Sequence, residues 1–140
     1  MKIYDHLRQN ERILMEQTDP DDLYLTNFRV IFHNNEKPDY IRLYQDKIPQ
    51  YGEIIDDYAF LELTYLRLII LDDYRYGSVA YIYFSKNLTE KPKKARNKKR
   101  KIKTDIEIGL GFQNQRIFNL FLKSMIELIP EIVICGFPAI

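Results

Sequence analysis

The side chains of this 140-residue chain that carry reactive chemistry are few and widely spaced. His6 and His33 are the only imidazoles, and neither has a nucleophile and an orienting acid nearby in sequence, so no acid–base or covalent-catalysis constellation is legible. Cys135 lies in the apolar run Ile132-Val133-Ile134-Cys135-Gly136 with no basic neighbour to stabilise a thiolate, and it reads as a small buried hydrophobe. Carboxylates gather at Asp19, Asp21 and Asp22 and in the pairs Asp56-Asp57 and Asp72-Asp73. Oxygen-rich clusters suit Ca²⁺ or Mg²⁺, but the spacing of an EF-hand loop is absent and aspartate is a common turn residue. Gly109-Leu110-Gly111 opens like a dinucleotide fingerprint, yet Asn114 stands where the third glycine would be. The two glycines are expected instead to let the chain turn sharply into a helix. The expectation from these residues is a chain that is not an enzyme, with no catalytic residues, no metal and no cofactor.

The charges are more informative. The net charge of +1 conceals a segregation. Residues 91–103 hold nine basic side chains and no acidic one, which leaves twelve basic against twenty acidic residues elsewhere, a balance of −8. The chain is an acidic body with a basic loop at about 86–101. Its candidate contacts for an anionic ligand are Lys93, Lys94, Lys98, Lys99, Arg100 and Lys101. Near an anionic phospholipid surface each contributes on the order of 1 kcal/mol. On nucleic acid, five phosphate contacts would give a log–log salt slope of about −4.5. No aromatic residue occurs from 86 to 110, so the loop has no platform on which single-stranded bases stack. Lys98-Lys99-Arg100-Lys101 also resembles a nuclear-localisation patch, and a merely solvated connection remains open.

The elements around these residues read as strands first and a helix late. A first strand is expected over 11–18, a turn at Asp19-Pro20-Asp21-Asp22, and a hairpin with strands at 23–26 and 28–34. Leu23 and Leu25 occupy odd positions while Phe28, Val30 and Phe32 occupy even ones, so the apolar face switches at Thr26-Asn27, where Asn27 would tolerate a positive φ. Strands are expected at Tyr40–Tyr44 and Ile48–Ile55, then over Phe60–Leu71 with a break near Tyr65, and at Val79–Phe84. The echo of Ile54-Ile55-Asp56-Asp57-Tyr58 in Ile70-Leu71-Asp72-Asp73-Tyr74 suggests two strands ending in similar turns. Ile102, Thr104, Ile106, Ile108 and Leu110 alternate with polar residues as in a half-buried strand. From Gln113 the spacing changes: Phe118, Phe121, Leu122, Met125, Ile126 and Ile129 mark an amphipathic helix ended by Pro130. The apolar tail after Pro130 is expected to return to the sheet as an edge strand or to bury itself in an oligomer.

With 46% apolar and 14% aromatic residues, the chain is expected to form one domain over 1–140 with a core that requires no disulfide. Without an apolar leader or a run of about 18 apolar residues it is expected to be cytoplasmic. Asn10-Glu11-Arg12-Ile13-Leu14, followed by Leu23-Tyr24-Leu25-Thr26-Asn27-Phe28-Arg29-Val30-Ile31-Phe32, resembles the opening of GRAM and bacterial PH-like domains. Lys47 to Ile55 is similar to that family's I-P-L-x-x-I strand, Leu68 to Arg75 to the D-x-R strand of myotubularin-type GRAM domains, and Arg116 to Ile129 stands where the closing helix would. The resemblance implies a mainly β fold with one C-terminal α-helix, a PH-like antiparallel sheet or small barrel capped by that helix. It also implies a noncatalytic module that binds a protein partner or an anionic membrane surface, the latter giving peripheral membrane association. The alternative is a protein that binds nucleic-acid phosphates non-specifically. Many PH-like domains hold phosphoinositides with basic residues in the loop joining their first two strands. Here that loop is the acidic Asp19–Asp22, which moves any electrostatic contact to the basic loop.

Overall fold

A computed structural model of the protein describes residues 2–33, 39–74, 77–86 and 105–136. The chain divides into two compact units, residues 1–64 and 65–140, each built on its own sheet. The fold is mainly β with one long helix near the C-terminus, as expected.

In the first unit β1 (Ile13–Gln17), β2 (Leu23–Thr26) and β3 (Arg29–His33) form an antiparallel meander. Two single-turn helices, α1 (Tyr40–Leu43) and α2 (Ile48–Tyr51), then precede the hairpin of β4 (Gly52–Ile55) and β5 (Tyr58–Glu62). β5 pairs with β3, giving the order β1-β2-β3-β5-β4. Leu23 opposes Phe32 and Leu25 opposes Val30, so the odd residues of β2 share a face with the even residues of β3. The phase switch read from the sequence is therefore real. Its cause is the hairpin register, which pairs odd with even positions. The sheet is buried on both sides: Leu23, Leu25, Val30, Phe32, Ala59 and Leu61 are enclosed on one face. Ile31 and Phe60 are enclosed on the other, beneath Ile3 of a 3₁₀ turn at Ile3–His6. Where β4 meets β5, only glycine fits at position 52, since a Cβ there would fall 1.7 Å from the Phe60 carbonyl oxygen.

Several expectations fail in this unit. Tyr40–Leu43 is helical because the Asp39 side chain accepts a hydrogen bond from Arg42 N at 2.8 Å and caps a turn there. Ile48–Tyr51 is also helical, with Pro49 in its first turn where no N–H is required, and the strand starts only at Gly52. Asn27 does not adopt a positive φ; among the described non-glycine residues that conformation belongs to Asn10, Asp56 and Asp57.

In the second unit β6 (Leu66–Tyr74), β7 (Gly77–Phe84) and β8 (Ile106–Gly111) form antiparallel pairs, and β9 (Val133–Gly136) lies parallel to β6 at the edge. The apolar tail thus returns to the sheet as far as it is described. The break near Tyr65 is a 3₁₀ turn, Leu63–Tyr65. Ile69, Ile82 and Ile108 align across three strands, as do Phe84 and Ile106 across two. These buried rows are accompanied by α3 (Gln115–Leu128), which lies against β7 and buries Phe118, Phe121 and Met125. Phe112 bridges strand and helix, its ring 5.1 Å from Phe118 and 4.8 Å from Phe121. Asn114 caps α3 by accepting from Ile117 N at 2.9 Å. Ile126, assigned to the apolar face by spacing, is 53% exposed, because the helix turns it away from the Phe121 side. Gly109 and Gly111 lie inside β8, and no described glycine has a φ in the left-handed region, so the turn into α3 is made after them. Asp72 and Asp73 are likewise within β6 rather than in a turn.

Candidate functional site

Four residues of the opening motif, Glu11, Thr26, Asn27 and Arg29, meet around one buried cluster in the first unit. Arg29, at the start of β3, is 1% exposed and its guanidinium lies 4.8 Å from the centroid of the Phe60 ring. Its Nε and Nη2 donate to the two carboxylate oxygens of Glu11 at 2.9 and 2.6 Å, a bidentate pair, and Nη2 also donates to the His6 carbonyl at 2.9 Å. Thr26 Oγ1 donates to Glu11 Oε2 at 2.7 Å and accepts from Arg29 N at 2.8 Å and Phe28 N at 3.0 Å. Arg8 N donates to Glu11 Oε1 at 2.8 Å, while the Arg8 guanidinium forms a two-point ion pair with Glu62. Burial alone would raise the Glu11 carboxyl, but hydrogen bonds from Arg29, Arg8 N and Thr26 outweigh it and hold the group below the usual carboxylate range. Asn27 serves the same frame by accepting from Arg12 N at 2.8 Å and donating to the Asn10 carbonyl at 3.0 Å. Glu11, Thr26, Asn27 and Arg29 thus tie the approach to β1 onto the β2–β3 hairpin. The motif spends its charges on the scaffold.

A second polar group sits where the acidic turn ends. Tyr58 Oη donates to Asp22 Oδ2 at 2.7 Å, and the His33 ring packs at a tilt against the Tyr58 ring with centroids 4.6 Å apart. Burial, reinforced by Asp22, pushes the Tyr58 phenol well above its ordinary range and raises Tyr24 in the same direction. Neutral phenols beside an aspartate are hydrogen-bond donors, not bases. His6 meets only the edge of Phe60, 6.2 Å between centroids. Cys135 is half-buried in β9, and burial pushes its thiol up, away from reactivity. Among the described residues no three His, Cys, Asp or Glu side chains gather as a metal site.

Lys93, Lys94, Lys98, Lys99, Arg100 and Lys101 lie outside the described residues. What is described is the place from which they depart. Phe84 and Ile106 are paired, and Asp105 N donates to the Phe84 carbonyl at 3.0 Å, so both ends of the connection between β7 and β8 are anchored at one end of the sheet. Ser85 is held by its N–H to the Tyr65 carbonyl at 2.9 Å and by Arg67 Nε to its own carbonyl at 2.9 Å. Lys86 Nζ stands 5.8 Å from the Tyr65 ring centroid, a cation–π contact at the root of the connection. The cationic character of this end could be found from sequence by composition, but Arg67 could not, because only the β6–β7 pairing brings it to Ser85.

A scan against protein-family profiles and searches of curated proteins and solved structures found nothing that matches this chain.

Proposed function

We propose that this chain is a noncatalytic interaction module of PH/GRAM-like type that docks on an anionic membrane surface through Lys93, Lys94, Lys98, Lys99, Arg100 and Lys101. The observation that carries the reading is charge segregation at a fixed address: nine cations and no anions in residues 91–103, between two strands whose ends are paired. An antiparallel meander followed by a second sheet and one long helix supports the PH-like reading. The acidic Asp19–Asp22 turn disfavours phosphate at the first loop. No helix among the described residues is long and apolar enough to cross a membrane. With about 1 kcal/mol from each engaged cation, half the set suffices for weak, reversible docking. Cosedimentation with phosphatidylserine-containing and purely phosphatidylcholine vesicles tests the proposal. Binding is expected only with the anionic lipid, and replacing the six residues by serine is expected to abolish it. Equal binding to both vesicles, or an unchanged serine variant, overturns it.

A further inference from the structure

β4 ends the strand order of the first sheet, so one of its edges has no strand beside it among the described residues. Its hairpin with β5 turns through Asp56 and Asp57, at φ 47° and 66°, with Ile55 opposite Tyr58. Two consecutive positive φ values in a two-residue loop are the type I′ geometry, in which the flanking residues form a hydrogen-bonded pair. Alternation along the antiparallel ladder then makes Ile54, opposite Ala59, a non-hydrogen-bonded position whose N–H and C=O point away from β5. Gly52, opposite Leu61, is also the C-cap of α2, whose last turn engages its N–H, so Ile54 is the residue of β4 that offers both backbone groups outward. Outside the helices and sheet ladders, no backbone hydrogen bond among the described residues reaches 53–55.

The charged side chains carried by the β4–β5 hairpin at this edge and its tip, Glu53, Asp56 and Asp57, are acidic, while Arg29 and Arg8 lie near Glu53. Glu53 is half exposed even though it stands 3.6 Å from Arg29 Nη1, and Asp56 and Asp57 are exposed at the tip. Ile54 is 37% exposed between them. Edges are commonly blunted with lysine, proline or a bulge. Here an aliphatic residue is presented among carboxylates, which repel acidic segments and attract basic ones. A type I′ turn prefers Asn-Gly, so keeping two aspartates there sacrifices local stability for negative charge.

We propose that the free edge of β4 binds an extended basic peptide of a protein partner by strand addition. The peptide main chain pairs with Ile54, and its lysine or arginine side chains face Asp56 and Asp57. Main-chain pairing supplies the attraction and the charges supply the choice of partner. The inference rests on β4 alone, so the vesicle experiment neither supports nor damages it.

The test uses the full chain and two fluorescein-labelled peptides of equal charge, Lys-Val-Lys-Val-Lys and Lys-Pro-Lys-Pro-Lys, followed by fluorescence anisotropy. The second lacks the N–H groups needed to extend a sheet. The valine peptide is expected to bind at least about fivefold tighter. Ile54→Pro, which removes the outward N–H, is expected to erase that difference, with circular dichroism confirming the fold. Asp56→Asn with Asp57→Gly keeps the turn geometry and is expected to weaken the valine peptide, so a loss there is not unfolding. Equal affinity for the two peptides, no binding of either, or an unaltered preference in Ile54→Pro overturns the proposal.

Discussion

Arg29 and Glu11 are each enclosed, and neither charge has water to fall back on. Removing one partner leaves the other charge buried and uncompensated, a loss of about 3–5 kcal/mol for such pairs. Arg29→Met alone is therefore expected to shift the urea midpoint strongly downward. Arg29→Met together with Glu11→Leu is expected to recover much of that loss, because both charges leave the interior at once. The same pair makes stability depend on pH with a definite sign. The Glu11 carboxyl is lowered in the folded state, so its contribution is present above the unfolded value of about 4.3 and is lost as pH falls through the folded value. A series of urea titrations descending from pH 5 is expected to show this acid limb in the natural chain and a flatter one in Glu11→Gln. Equal slopes would mean that other carboxylates govern acid unfolding.

Local turn chemistry sets the stability of the β4–β5 hairpin. Asp56 and Asp57 both hold a positive φ that Asn-Gly adopts with less strain, and relief of about 1–2 kcal/mol at position 57 exceeds the entropy cost of glycine, so the double change Asp56→Asn and Asp57→Gly is expected to stabilise the chain by roughly 0.5–1 kcal/mol. Thermal melting checks this, and a lower midpoint would show that the carboxylates make contacts worth more than the strain. The elements legible in the sequence are those whose pattern is long or repeated: the β2–β3 hairpin, the alternation from Ile102 to Leu110, of which Ile102 and Thr104 lie outside the described residues, and a helix of fourteen residues between Asn114 and Pro130. Tyr40–Tyr44 and Ile48–Tyr51 read as strand because Tyr and Ile carry strand propensity, whereas a single helical turn is decided by one cap, Asp39, and by Pro49 in a first turn. The opening motif was legible as a signature but not as a buried ion pair. Eighteen residues separate Glu11 from Arg29, and only the hairpin register brings them together. Asn27 illustrates the same gap: its tolerance of positive φ suggested a turn role, yet its side chain does the work, bridging Asn10 and Arg12.

At the scale of the whole molecule, the distribution of charge matters more than its near-zero sum. A body of −8 is repelled by an anionic leaflet while the cations of 91–103 are attracted, so docking depends on how far each field reaches. The Debye length falls from about 10 Å at 0.1 M salt to about 3 Å at 1 M, which leaves only close cation–phosphate contacts. Cosedimentation with phosphatidylserine vesicles is therefore expected to decline steadily over that range and reach the level of neutral vesicles near 1 M. Binding retained at 1 M would require apolar insertion, for which the segment offers little: between Glu90 and Asp105 its only aliphatic side chains larger than alanine are Pro92 and Ile102. Persistence at high salt would thus exclude the basic segment as the principal contact and assign membrane affinity to another surface of the chain.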